Sequence, residues 1–96
     1  MADVKRGLYI PEKVLTDCRI GALQKLVFAV MLDAMDEAGV LYIPAHMIAS
    51  RLNVTDVSVK FARKTLIDTG HIERVPGTKY NYRVIGYRKR RRTDDA

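Results

Sequence analysis

The stretch SRLNVTDVSVKFARKTLIDTGHIERV, residues 50–75, contains two helical apolar patterns that are separated by a short break and followed by a strand-like run. The break falls at 53–54, and Thr55 suits a helix N-cap because its hydroxyl can accept a hydrogen bond from a backbone amide of the first turn. We expect the helix that it opens to run to about Thr69 and to be stopped by Gly70. Two helices joined in this way are typical either of a DNA-reading helix-turn-helix or of two helices packed in a small core.

The helix that begins after Thr55 is expected to have two different faces. Helical spacing buries Val59, Ala62 and Leu66, with Ile67 at the edge of the core. The opposite face is free and carries Asp56, Val57, Lys60, Phe61 and Lys64. In a helix-turn-helix, the second helix presents such a face to the major groove, where its N-terminal side chains reach the base edges.

The segments before this stretch predict further helices and a strand. Apolar residues at three- and four-residue spacing indicate an amphipathic helix over 21–38, with Gly39 as its C-cap. Residues 40–43 alternate as a short strand, and residues 45–52 form a helix that Pro44 opens.

The two ends of the domain are also patterned. Residues 8–11 read as an extended arm, and 12–15 as a proline-started helical turn that packs as an N-terminal strap. Strand-like runs at 71–75 and 80–85 flank Pro-Gly-Thr-Lys at 76–79, a turn with rigid and permissive residues. Tyr80 and Tyr82 share one strand face, so one of them should pack on the core.

Three helices, one short strand and a C-terminal β-hairpin predict an α+β winged helix-turn-helix. A chain of 96 residues has room for one such domain. We expect an N-terminal arm over 1–20, the winged helix-turn-helix over 21–87 and a disordered basic tail over 88–96.

The composition indicates a cytoplasmic protein without metal. The longest apolar stretch is far shorter than the ~20 residues of a membrane span, and the N-terminus leads into no signal-peptide apolar core. Cys18 is the only cysteine, so no intramolecular disulfide can form and a reducing compartment fits. With this cysteine, His46 and His71 have no zinc-ligand spacing. We therefore expect no membrane contact and no structural metal.

The positive charge is concentrated in the second half of the chain. Residues 1–50 hold five Lys or Arg against six Asp or Glu, whereas residues 51–92 hold twelve against three, a net charge of +9. The last four residues add −2, which gives +6 for the whole chain. Such segregation is typical of a polyanion binder, because basic side chains gain affinity by releasing counterions from phosphates. The alternative is a solubilising basic surface.

Several side chains of the Thr55 helix can contact DNA. The hydroxyls of Thr55 and Ser58 can donate to phosphate or base, and Lys60 and Lys64 can reach phosphate or guanine. Arg63 is expected to clamp the flank of the site.

Val57 and Phe61 are unusual on a DNA-reading face because they are apolar. They can contact a thymine methyl, or they can be buried in a dimer or against the N-terminal strap. For Phe61 we favour burial in the core or in a dimer, whereas for Val57 both interpretations stay open.

The hairpin and the tail add further basic residues. Arg74, Lys79 and Arg83 are spaced to touch the DNA backbone or minor groove, although charges on an edge hairpin also protect it from aggregation. The run 88–92 suits non-specific phosphate binding as a minor-groove arm, or it is a solvated terminus. The candidate DNA-binding residues are Thr55, Asp56, Val57, Ser58, Lys60, Phe61, Arg63, Lys64, Arg74, Lys79, Arg83, Arg88, Lys89, Arg90, Arg91 and Arg92.

Four segments together resemble a known family. LYIPEKVLTD (8–17), LQKLVFAVMLDAMDEAGVLYI (23–43), ASRLNVTDVSVKFARKTLIDTGHIERV (49–75) and YNYRV (80–84) are similar in order and spacing to the N-terminal winged-helix domain of plasmid and phage replication initiators of the replication initiator A type. The resemblance spans residues 8–87.

The resemblance implies where DNA is contacted. The family's DNA-contacting stretch corresponds to Thr55, Asp56, Val57, Ser58, Lys60, Phe61 and Lys64, and its wing corresponds to Arg74, Lys79 and Arg83. Family members usually have a more polar residue at the positions of Val57 and Phe61, and they continue into further domains. Here the basic tail follows the winged helix directly. We therefore expect either an isolated DNA-binding domain or a small regulator built on the same module.

Three classes of function follow. The first is a non-enzymatic double-stranded DNA-binding protein of a plasmid, phage or other mobile element, which acts in replication initiation or transcription regulation as a dimer on a repeated or palindromic site. The second is a protein-interaction winged helix in which Val57 and Phe61 bind a partner. We expect neither a cofactor nor a small-molecule substrate.

The third class is an enzyme, such as a nuclease that uses Asp33, Asp36 and Glu37. These carboxylates lie near the end of one predicted helix and can in principle hold a divalent metal, but a solvated face explains them as well. The sequence contains no Walker loop, HExxH motif, nucleophile elbow or catalytic dyad. We therefore expect a binding protein and not an enzyme.

Overall fold

The structure of the protein is a computed structural model that describes residues 8–78 and 81–86. Within these residues the chain forms an α+β fold of four helices and a three-stranded antiparallel sheet. In chain order the elements are α1 (Glu12–Leu15), α2 (Ala22–Ala34), β1 (Val40–Tyr42), α3 (Ala45–Leu52), α4 (Asp56–Asp68), β2 (Ile72–Arg74) and β3 (Asn81–Val84). No helix of the described residues is long and apolar enough to cross a membrane.

The α3–α4 pair agrees closely with the prediction. Asn53 caps α3 in the left-handed conformation, with φ 58° and ψ 48°, and reverses the chain. The Thr55 hydroxyl then accepts a hydrogen bond from the Ser58 amide at 3.2 Å, which confirms Thr55 as the N-cap of α4. The predicted stripe of Val59, Ala62 and Leu66 is fully buried.

The helix predicted over 21–38 is shorter than expected. α2 ends at Ala34, and Met35 is extended and buried. The Asp36 carboxylate accepts hydrogen bonds from the backbone amides two and four residues ahead, at 2.9 and 3.0 Å. Because an aspartate that bonds to nearby amides offers the backbone an alternative to the helix, the prediction of four further helical residues was wrong.

Gly39 is not the C-cap of a helix, contrary to the prediction. It lies in the turn after Asp36 with φ 85°, a conformation that a residue with a Cβ adopts only at a cost. Its carbonyl accepts a hydrogen bond from the Val84 amide at 2.8 Å, so this turn leads β1 into the sheet beside β3.

The strands pair in the order β1-β3-β2, so the last strand lies in the middle of the sheet. Tyr82 of β3 lies opposite Leu41 of β1 and Arg74 of β2. The predicted hairpin is confirmed in its described part, since the Val75 amide donates to the Asn81 carbonyl at 3.0 Å. Tyr82 is buried, as expected of one of the two tyrosines, whereas Tyr80 lies outside the described residues.

The N-terminal segment packs as the predicted strap. Val14 of α1 is fully buried, and Ile20 just before α2 is 5% exposed. Leu8 and Ile10 are partly buried against the same core, which α2, α3, α4 and the sheet share. The strap therefore packs against one side of the domain, while Val57 and Phe61 on α4 are exposed.

Candidate nucleic-acid interface

The exposed face of α4 is the largest group of predicted site residues that the structure brings together. Val57 and Phe61 are 60% and 67% exposed, and the side chains around them are exposed as well. We call this group the outward face of α4, and it comprises Asp56, Val57, Lys60, Phe61 and Lys64. It lies opposite the buried stripe, as the helical spacing predicted.

Phe61 is not part of the core, although burial there or in a dimer was favoured from the sequence. Its position on α4, four residues after Val57, turns it away from Val59 and Ala62, which are fully buried. Two apolar side chains on adjacent helical turns are therefore left in contact with solvent. Both side chains are therefore accessible to a ligand or a partner.

The hydroxyls at the start of α4 are already engaged with each other. Thr55 Oγ1 lies 2.8 Å from Ser58 Oγ, in addition to accepting from the Ser58 amide. This pair fixes the N-terminus of the helix. Thr55 remains exposed, so the hydroxyl pair can still donate a hydrogen bond to a phosphate or a base, or accept one from a base.

Arg63 is buried, which corrects the expectation that it clamps the DNA flank. Only 9% of the residue is exposed, and its guanidinium Nη1 donates to the Ile43 carbonyl at 3.1 Å. The same guanidinium lies over the Tyr82 ring, 4.7 Å from the ring centre. Arg63 thus joins α4 to the β1–α3 connection and to β3, and it holds the outward face in place without forming part of it.

A second arginine lies on the same tyrosine. The Arg74 guanidinium is 5.4 Å from the centre of the Tyr82 ring, and Arg74 is exposed. Burial, and to a smaller extent the nearby Arg74 charge, lower the pKa of the Arg63 guanidinium. The aromatic ring attracts both cations, so positive charge accumulates where the end of β2 meets α4.

Three basic residues of the second half of the chain are paired with carboxylates. Lys64 lies 3.8 Å from Asp68, Arg83 lies 2.9 Å from Glu73, and Arg51 lies 3.2 Å from Asp33. All six side chains are at least 43% exposed, and such surface pairs are worth only about 0–1 kcal/mol each. A phosphate can therefore compete for these cations.

Lys60 is the exposed cation of α4 that remains unpaired, since it makes no ion pair within residues 8–78 and 81–86. Lys79 and the basic run from Arg88 to Arg92 lie outside the described residues. Within the described residues, the candidate interface therefore consists of the outward face of α4 and of Arg74 and Arg83 on the hairpin.

The acidic residues considered as a metal site are engaged separately. Asp33 pairs with Arg51, and Asp36 accepts backbone hydrogen bonds in the turn after α2. Among the described residues, no group of three or more His, Cys, Asp or Glu side chains is placed to hold a metal ion. Asp33 and Asp36 thus have structural partners, and Glu37 faces solvent.

Sequence reasoning did not find one partly buried polar cluster, which joins Asp17 to His71. The Asp17 carboxylate lies 2.7 Å from His71 Nε2 and accepts two hydrogen bonds from the Arg19 side chain. Arg19, and to a smaller extent His71, hold the pKa of the Asp17 carboxyl well below its usual range. The Asp-x-Arg spacing is a signal for the local turn, but nothing local indicates a partner 54 residues away.

Comparisons with family models, curated proteins and solved structures return no match for this chain. What indicates a function in the structure is the chain's own described residues. These present an exposed helix face that contains both cations and apolar side chains, held by Arg63 on one side and by the Thr55 cap at its start.

Proposed function

We propose that this protein is a winged helix-turn-helix protein that binds double-stranded DNA, with α4 in the major groove and the β2–β3 hairpin on the flank. α3 and α4 would be the helix-turn-helix pair, and the hairpin would be the wing. The order α2, β1, α3, α4, β2, β3, with β3 between the other two strands, supports this assignment.

The observation that carries the proposal is the outward face of α4. An exposed helix face that begins at a capped N-terminus can enter a groove about 12 Å wide, which admits an α-helix. Lys60 and Lys64 lie one helical turn apart on this face and can contact the phosphates that border the groove. Asp56 in the first turn can accept from a cytosine amino group, so the face combines affinity with base discrimination.

The wing residues suit a role in affinity. Arg74 lies at the end of β2 near α4, and Arg83 lies on the neighbouring strand. Basic side chains on a hairpin beside a recognition helix can contact the backbone or the minor groove. The run from Arg88 to Arg92, by its sequence, would add phosphate binding that is independent of the base sequence.

The resemblance to replication initiators of the A type supports a biological setting. We infer a cytoplasmic protein of a plasmid, phage or other mobile element that acts in replication initiation or transcription regulation, as a homodimer on a repeated or palindromic site. In this role it binds and does not catalyse, and it needs no cofactor.

The experiment begins with a selection. The full chain selects from a random 30-base-pair duplex library, and fluorescence anisotropy then measures its affinity for the enriched duplex and for the unselected pool over a range of salt concentrations. We expect the enriched duplex to bind markedly tighter than the pool. No enrichment, with equal affinity for every duplex, would contradict the proposal.

A charge-matched pair of variants locates the interface. Lys60→Ala with Lys64→Ala removes two cations from the outward face of α4, whereas Lys13→Ala with Lys25→Ala removes two from the first half of the chain. Affinity falls as salt rises, and each phosphate contact makes the slope of log affinity against log salt steeper by about 0.9. We therefore expect only the first variant to make this slope less steep, by about 1.8. Equal losses in both variants would mean that net charge alone drives binding.

The exposure of Phe61 also supports a second function, a protein-interaction module. In that case Phe61 would be the apolar residue that anchors a protein partner, and the basic surface of this chain would bind acidic groups of that partner. Phe61→Ser separates the two functions, because an interaction module would lose its partner and keep its DNA affinity.

A further inference from the structure

We propose that Val57 and Phe61 recognise the 5-methyl groups of two thymines within the DNA site. This inference rests on the proposed function and adds to it a base specificity. It assigns the two apolar side chains of the outward face to direct base readout, while Lys60 and Lys64 contact phosphates.

The chemistry of the groove favours thymine. Among the base edges of the major groove, thymine alone carries a methyl group, and the other groups there are hydrogen-bond donors and acceptors. Val57 and Phe61 have no polar side-chain atoms and cannot satisfy those groups. Burying either of them against a polar edge would cost free energy, whereas burying it against a methyl removes apolar surface of both partners from water.

The spacing of the two side chains sets the spacing of the thymines. Residues four apart on an α-helix are separated by about 6 Å along its axis. Successive base pairs are separated by about 3.4 Å along the DNA. Because a recognition helix lies along the groove and not along the DNA axis, the path between successive base edges is somewhat longer than this rise. The two methyl groups should therefore lie one or two base-pair steps apart, on either strand. Both side chains belong to the first half of α4, the part of a recognition helix that reaches base edges.

The surroundings of the pair favour DNA over a second copy of the chain. Two side chains supply only a small part of the ~800 Å² that each partner buries in a stable protein interface. Of the cations beside the pair, Lys60 makes no ion pair among the described residues, and Lys64 makes only an exposed one with Asp68 at 3.8 Å. The phosphates on both sides of a major groove complement these lysines.

Uracil substitution tests the proposal, because uracil is thymine without the methyl group. Each thymine of the selected duplex is replaced singly by uracil, and anisotropy measures the change in affinity of the full chain. We expect two positions, one or two base pairs apart, at which affinity falls about fourfold, the effect of one buried methyl group. At the remaining thymines we expect no change.

The variants assign each thymine to a side chain. In Phe61→Ala the penalty of one uracil should disappear, and in Val57→Ala the penalty of the other, while Lys60→Ala should weaken binding and keep both penalties. Both side chains are exposed, so the alanine variants should melt as the parent does.

Three results would overturn the inference. If the protein binds its selected duplex but no thymine is sensitive to uracil, the readout proposal fails and the proposed function stands. If Phe61→Ala keeps both penalties, another residue reads the methyl groups. If Phe61→Ala converts a dimer to a monomer in sedimentation while duplex affinity is unchanged, the pair is an interface between copies. Failure to bind any duplex would instead reject the proposed function itself.

Discussion

At the scale of single residues, Arg63 shows how side chains of one type divide between stability and binding. Arg63 and Lys60 are both cations of α4, three residues apart, yet Arg63 is buried against Tyr82 and Lys60 is exposed. The apolar pattern identified Val59, Ala62 and Leu66 but could not place Arg63 beside them. Its burial depends on the Ile43 carbonyl and the Tyr82 ring, which long-range packing brings to it.

We expect Arg63→Ala to lower the free energy of unfolding by about 2 kcal/mol, because it removes a hydrogen bond, a cation–π contact and the packing of the side-chain stem. Arg63→Met should cost less, since it refills the stem and removes a desolvated charge. Urea denaturation measures both. A fully stable Arg63→Ala variant that has lost DNA affinity would mean that Arg63 belongs to the interface after all.

Asp17 makes stability depend on acid pH. Arg19 and His71 hold the pKa of its carboxyl below the usual value of about 3.9. The ionised carboxylate therefore adds to the free energy of unfolding above about pH 3.9, and this stabilisation is lost as the pH falls further. We expect Asp17→Asn to be less stable than the parent at pH 7 and the difference to shrink towards pH 2. Urea denaturation at several pH values measures this, and a difference that does not change with pH would contradict the account.

At the scale of elements, the helix-turn-helix segment was predictable because its signals are local. Pro44 begins α3, Asn53 ends it and Thr55 caps α4, and each of these acts through its own backbone conformation or hydroxyl. The end of α2 was not predictable from apolar spacing, which continues past Ala34. There the Asp36 carboxylate captures two backbone amides and stops the helix.

The turn between α3 and α4 can be tested at Asn53. Its φ of 58° is left-handed, a conformation that glycine adopts freely and that asparagine tolerates better than alanine. We expect Asn53→Ala to lower the free energy of unfolding by about 1 kcal/mol and Asn53→Gly to change it little. Thermal melts compare the two variants. Equal destabilisation by both would show that the Asn53 side chain, and not its backbone conformation, holds the turn.

At the scale of the whole molecule, the concentration of positive charge in the second half of the chain was predictable, but the pairing of those basic residues with carboxylates was not. Composition places nine excess positive charges in residues 51–92, yet in the described part Lys64, Arg83 and Arg51 each have a carboxylate partner. Those pairs join residues from different elements or depend on side-chain rotamers. The candidate interface is therefore less positive than its count of basic residues indicates.

Glu73→Gln should strengthen DNA binding if the hairpin contacts phosphate. It releases Arg83 from its 2.9 Å pair without changing the shape of the side chain. We expect higher affinity and a salt slope steeper by about 0.9, the contribution of one further phosphate contact. Glu12→Gln in α1 removes the same charge elsewhere and is the control. Equal gains in both variants would indicate a general effect of net charge.

The most direct test of the central claim, that α4 enters the groove of double-stranded DNA, is a residue-resolved NMR titration. The ¹⁵N-labelled full chain is titrated with the selected duplex, and the shift of each backbone amide is recorded. We predict the largest changes at the outward face of α4 and around the β2–β3 turn, with small changes in α1 and α2. Changes confined to the chain termini, or centred on α1 and α2, would contradict the account.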